Sequence, residues 1–207
     1  MVRPQERRRL SNPPFYREEF EEAFRFVLEE YPLPRRALAL FVPCAVRKPY
    51  SASPSHRIFR AVLDRVLAPD EYQLLVFGTC GVVPAELEEM YPFAHYRFML
   101  GAVRDSRVRR DFLEIETDRL ARFLSATRGL YRARGAYCIG LFREAMERGA
   151  GRAGVPLDLL LPSAETIARV SDPGSPFPAG SLACREYTAE LEEGLERLAV
   201  RVRRGRG

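Results

Sequence analysis

Tryptophan is absent from the 207 residues, lysine occurs once and histidine twice. No stretch approaches the roughly 18 consecutive apolar residues of a membrane span, so no membrane association is expected. The opening residues are arginine-rich and no apolar segment follows as in a secretory signal, which points to a cytoplasmic protein. Cysteines are few and scattered: Cys44, Cys80, Cys138 and Cys184 lie no closer than 36 residues apart, excluding the paired spacing of zinc or redox motifs. No metal or cofactor is expected, and the thiols read as free.

What is present is an ordinary globular composition, 46% hydrophobic and 29% charged, enough for a real core. The net charge of +5 permits nucleic-acid binding without requiring it. Of the 33 basic residues only Lys48 is lysine. A chain that uses arginine everywhere else and keeps one ammonium has a position where a compact, three-donor cation is needed.

Residues 1–15, with Arg7, Arg8, Arg9 and the Pro13-Pro14 pair, read as a flexible basic arm. Residues 16–202 read as a single α/β domain and 203–207 as a basic tail. Tyr16 to Tyr31 places Phe20, Phe24, Val27 and Leu28 on one helical face. The apolar run from Ala37 to Cys44 predicts a strand buried on both faces, followed by a polar loop and a helix from Ser55 to Leu67 with Ile58, Phe59, Val62, Leu63 and Val66 inward.

The beat then repeats. Tyr72 to Phe77 reads as a strand, Gly78 to Val83 as a loop, and Pro84 to Met90 as a helix. Further strands are expected at His95 to Leu100, Gly135 to Ile139 and Leu157 to Leu161, with helices at Arg107 to Leu124, Leu141 to Arg148, after Ser163, and Leu182 to Val202. The alternation predicts a three-layer, doubly wound, mostly parallel α/β sandwich, whose ligands bind beyond the carboxyl ends of the strands.

The loop after the first strand is chemically dense. Between Pro43 and His56 it carries Cys44, Lys48, Tyr50, three hydroxyls (Ser51, Ser53, Ser55) and an imidazole. The competing reading is a proline-braced turn whose serines cap and whose lysine is solvated. Pro43, Cys44, Lys48, Pro49, Tyr50, Ser53 and His56 match the pattern PC-x3-KPY-x2-S-x2-H at every spacing. A second stretch, GVVPAELEEMYPFAHY from Gly81 to Tyr96, follows one βαβ step later.

On these two stretches the chain resembles the archaeosine synthase (alpha subunit) family of tRNA-modifying enzymes. The second stretch is similar to that family's GLVPRELE and YPAAHYD segments. Where the family continues with an aspartate and a tryptophan-containing PVTG-like segment, this chain has Arg97 to Gly101. The resemblance implies a uracil-DNA glycosylase-like fold, which commonly holds an extruded base in a pocket. It also implies addition of free lysine, through its side-chain amine, to the nitrile of 7-cyano-7-deazaguanine in the tRNA D-loop.

A radical-SAM partner would complete archaeosine, and a transglycosylase-like or PUA-type RNA-binding subunit would accompany it. In that reaction Cys44 is expected either as the nucleophile or, if the amine attacks directly, as a packing residue at the strand end, with His56 the base or proton shuttle and Lys48 the cation that lowers the thiol pKa or holds a phosphate. Pro43, Tyr50, Ser51, Ser53, Ser55, Gly81 and Glu86 are expected to line the substrate site, Glu86 meeting the lysine amine. The cluster Arg104, Arg107, Arg109 and Arg110 is expected on tRNA phosphates. His95 ranks behind His56. Two other classes stay open: a non-catalytic tRNA-binding scaffold, and a base glycosylase, which would need an acid absent from the Pro43 to His56 loop.

Overall fold

The computed structural model describes residues 13–172, 174 and 179–204. Most of the expected basic arm, part of the proline- and glycine-rich loop after Val170 and the end of the basic tail lie outside the described residues. Where the arm meets the domain, a 3-10 turn at Pro14–Tyr16 buries Phe15 against Phe98 and Phe112.

Five strands and six α-helices follow: α1 (Glu18–Glu29), β1 (Arg36–Pro43), α2 (Pro54–Val66), β2 (Tyr72–Gly78), β3 (Gly81–Pro84), α3 (Ser106–Ala126), β4 (Tyr131–Tyr137), α4 (Gly140–Ala153), β5 (Leu159–Leu161), α5 (Ala164–Val170) and α6 (Arg185–Arg204). The sheet order is β3-β2-β1-β4-β5, parallel throughout except for the β2–β3 hairpin. From β1 the chain winds outward to β2 and β3, then returns past β1 to β4 and β5. Helices α1, α3 and α4 pack as one layer and α2, α5 and α6 as the other, giving the expected three-layer α/β sandwich.

Local chemistry accounts for the elements that place the loop. In β1, Leu38 to Val42 are all buried, as a central strand covered on both faces requires. Helix α2 opens with Pro54 in its first turn, where a missing N–H costs nothing, and buries His56, Phe59, Val62 and Leu63. Ser53 rather than Ser55 stands at its cap position, and Ile58 faces solvent rather than the core. Asp105 caps α3 by accepting from the Arg107 N–H at 2.8 Å.

Four expectations in the middle of the chain are corrected. The expected loop from Gly78 to Val83 contains β3, paired antiparallel to β2, with Gly81 at φ +86° closing the turn. Beyond Pro84 the helix shrinks to a 3-10 turn at Ala85–Leu87. No strand forms over His95 to Leu100, because Phe93, Tyr96 and Leu100 all point inward at spacings of three and four, incompatible with strand alternation. Finally, β4 starts at Tyr131, earlier than expected. Its polar arginines hid it, and the buried Arg134 guanidinium donates to the carbonyls of Thr127 and Arg128 at 3.0 and 2.8 Å.

Candidate active site

At the carboxyl edge of the sheet, the Cys44 N–H still donates to the Phe77 carbonyl at 2.9 Å, so the half-buried thiol sits where parallel β1 and β2 both end. Gly78 is the residue beneath it. A Cβ there would come within 2.5 Å of Cys44 Sγ, so only glycine leaves room for the thiol.

The loop then folds back so that the Lys48 ammonium donates to the Ala45 carbonyl and lies over the Tyr50 and Tyr96 rings, 4.6 and 4.1 Å from their centroids. Two aromatic faces stabilise the cation without neutralising it. Burial holds Lys48 below the ordinary lysine pKa, while charge on Cys44 or Cys80 would act the other way.

Beneath the ammonium the Tyr50 hydroxyl is 3.2 Å from the Tyr96 hydroxyl and 3.5 Å from Cys80 Sγ, and Cys80 is 3.4 Å from Tyr96. Burial raises both phenols well above their usual value and pushes the Cys80 thiol up to about 11. All three are protonated at neutral pH and form a closed ring of donors and acceptors under Lys48.

His56 also meets Tyr50, its ring stacked at 5.5 Å between centroids. Because Nε2 is 2.8 Å from the Pro43 carbonyl, which only accepts, Nε2 carries the proton and Nδ1 is left buried without a partner. Burial lowers the His56 pKa, so the imidazole is neutral at neutral pH.

The remaining expected site residues divide. Ser53 and Ser55 bond each other at 2.9 Å. The Ser51 N–H donates to Glu88 at 2.8 Å, and both line a second cleft of about 330 Å³ together with Arg60, Tyr72 and Glu86. Glu86 itself accepts from Gln73 at 2.7 Å. Gly81 stands across the hairpin from Gly78, where a Cβ would meet Phe24 and Arg119 at 3.3 and 3.4 Å. Arg104, Arg107, Arg109 and Arg110 are all exposed around the start of α3.

A cleft of about 390 Å³ opens beside Lys48, within the range of about 300–1,000 Å³ typical of ligand sites, and is walled by Arg47, Lys48, His95, Tyr96 and Arg97 among others. Among the described residues, no three His, Cys, Asp or Glu side chains group so as to hold a metal ion, and no helix is long and apolar enough to cross a membrane. Sequence reasoning missed Gly78 and Cys80 and underrated His95 and Tyr96. Gly78 and Cys80 stand in the GTCG turn at the end of β2, and His95 and Tyr96 close the second stretch, YPFAHY.

Fold and loop together define a three-layer α/β domain with a polar cleft at the carboxyl edge of its parallel strands. Residues 20–127 match the family described as Domain of unknown function (DUF5591). The chain is 32% identical over 70% of its length to the archaeosine synthase subunit alpha of Methanosarcina acetivorans, covering 22% of that protein. It is 35% identical over 39% of its length to the subunit alpha of Thermoplasma acidophilum, covering 16% of it, and 38% identical over 41% to the archaeosine synthase of Haloferax volcanii, covering 12%. The chain belongs to the DUF5591 family and, by these matches, to the archaeosine synthase (alpha subunit) family.

The chain thus spans less than a quarter of the length of these relatives. Among solved structures, AF0587, a protein of unknown function, superposes with a TM-score of 0.55 at 20% identity, covering 84% of this chain and 49% of that one, and shows the fold alone.

Proposed function

We propose that the chain is the lysine-transferring domain of an archaeosine-forming tRNA-modifying enzyme, adding the side-chain amine of free lysine to the nitrile of 7-cyano-7-deazaguanine in the tRNA D-loop. The observation that carries this reading is the placement of Lys48 between Tyr50 and Tyr96, beside Cys44 and on the wall of a nucleotide-sized cleft. The names of the matched relatives point the same way.

A nitrile carbon is a weak electrophile, and its nitrogen must receive a proton as the carbon is attacked. In the proposed sequence the Cys44 thiolate adds to the nitrile carbon while Lys48, made more acidic by burial, gives a proton to the nitrogen, forming a thioimidate. The lysine amine then adds, its surplus proton passes to the neutral Lys48 amine, and the thiolate leaves, producing the amidine and restoring Lys48. Tyr50 holds Lys48 in place, and Ser51 ties this loop to the second cleft, where Glu86 and Glu88 offer carboxylates to the amine donor and Arg60 a guanidinium to its carboxylate. His56 is read as a neutral brace that fixes the Pro43 carbonyl and the Tyr50 ring. A radical-SAM partner and separate RNA-binding or transglycosylase-like subunits would supply the remaining steps.

One observation favours a second reading of Cys44. The thiol packs on Gly78 and is not among the residues lining the cleft, which suits direct attack by the lysine amine with Cys44 as a packing residue. Incubation with tRNA carrying the cyano-deazaguanine base and labelled lysine separates these. Incorporation lost in Cys44→Ser, with a trapped protein–RNA adduct in the wild type, supports the covalent route; full incorporation by Cys44→Ser selects direct attack. Binding without incorporation by the wild type would leave a scaffold instead.

A further inference from the structure

The cleft beside Lys48 carries three cationic side chains, Arg47, Lys48 and Arg97. Arg47 and Arg97 are exposed at its mouth, Lys48 and His95 are half-buried within, and Tyr96 is buried at its floor. No carboxylate lines it. Several arginines elsewhere are ion-paired, as Arg119 and Arg122 are with Glu21, Arg65 with Glu192 and Arg203 with Glu71. Arg47 and Arg97 form no ion pair among the described residues, and His95 Nδ1 is buried without a partner.

Like charges held around a concave, partly desolvated space raise the local potential and concentrate anions there. Two exposed guanidinium groups on the wall of one cleft suit a phosphodiester, whose oxygens accept paired N–H donors. The interior offers an ammonium and the rings of His95 and Tyr96, which suit the edge of a heterocycle.

We propose that this cleft admits one nucleotide of an RNA loop, with its phosphodiester between Arg47 and Arg97 and its base directed toward Lys48 and His95. The RNA as source of the phosphate rests on the transferase reading above. The site replaces the arginines at the start of α3 as the principal phosphate contact near the chemistry, since Asp105 and Asp111 stand among that exposed group and dilute its field.

The test is binding of a fluorescently labelled, unmodified tRNA transcript to the whole chain, followed by anisotropy across a salt series. Both arginines are exposed, so an Arg47→Ala/Arg97→Ala double variant is expected to fold, which circular dichroism checks. Its affinity should fall about tenfold or more, and the slope of log K against log salt should shrink by about one per residue removed. Inorganic phosphate should compete in the wild type and much less in the variant.

Unchanged affinity and slope, or no tRNA binding by the wild type, would overturn the proposal. So would competition by free lysine with none by phosphate, which would make a carboxylate the ligand. Lysine incorporation is measured in parallel on the modified tRNA. A chain that binds through Arg47 and Arg97 yet incorporates nothing upholds this site and removes only the transferase reading.

Discussion

Gly78 lies so close under Cys44 that a Cβ at residue 78 would approach Cys44 Sγ to 2.5 Å. The relationship is fixed by backbone, because the Cys44 N–H is held by the Phe77 carbonyl and the thiol cannot retreat along the strand. Gly78→Ala should therefore destabilise the fold by about 1–3 kcal/mol through overpacking and lower the rate of lysine transfer by displacing the thiol. Urea denaturation and single-turnover transfer report the two effects. Wild-type values in both would mean that the loop relaxes freely and that thiol position is not controlled from β2.

Lys48 gives the second prediction. No carboxylate pairs with its half-buried ammonium among the described residues, so Lys48→Met should leave stability unchanged or raise it by about 1 kcal/mol, while transfer falls about 10²-fold or more. Since burial holds its folded pKa below 10.5, the folded state binds this proton less tightly than the unfolded state. The penalty is full below the folded pKa and fades as pH rises toward 10.5. The stability advantage of Lys48→Met should narrow over that range. Lys48→Arg should not rescue transfer, because a guanidinium does not give up a proton.

The contrast between β1 and β3 shows what the sequence makes legible. The run from Leu38 to Val42 is apolar without interruption, and burial on both faces is the one arrangement that suits it, so strand, loop and the residues of that loop could be read directly. In β3, Gly81–Pro84 is too short to show a period, and its proline reads equally as a helix start. Cys80 and Tyr96 came to the site through tertiary packing alone. A cysteine in a turn and a tyrosine 46 residues from Tyr50 carry no local mark of the hydroxyl contact that joins them. Lys48 was legible for the opposite reason, as the single exception to an arginine-rich composition.

His56 supplies a test that separates bracing from proton transfer. Its Nε2–H is committed to the Pro43 carbonyl at 2.8 Å and its ring to Tyr50. His56→Gln keeps an N–H donor and should lower the transfer rate and cost about 1–2 kcal/mol of stability. The pH profile of the remaining activity should keep the wild-type shape. Disappearance of one limb in the variant would instead make this imidazole the base.

Glu116 makes this fold sensitive to pH. It is fully buried on α3 with one carboxylate oxygen unpartnered, and burial raises its pKa from 4.5 to about 7 against the opposing pull of Arg119 at 2.8 Å. Since the folded state holds this proton more tightly than the unfolded state, the resulting stabilisation is complete below pH 4.5 and is lost as pH rises to about 7. Stability should fall across that window with a slope of up to about 1.4 kcal/mol per pH unit from this group. Glu116→Gln, neutral at every pH, should flatten the fall and leave Arg119 paired with Glu21 at 3.0 Å. Denaturant midpoints taken from pH 4.5 to 8 in both proteins decide it. Parallel curves would mean that Arg119 keeps the carboxylate charged and that the buried pair, rather than the proton, carries the balance.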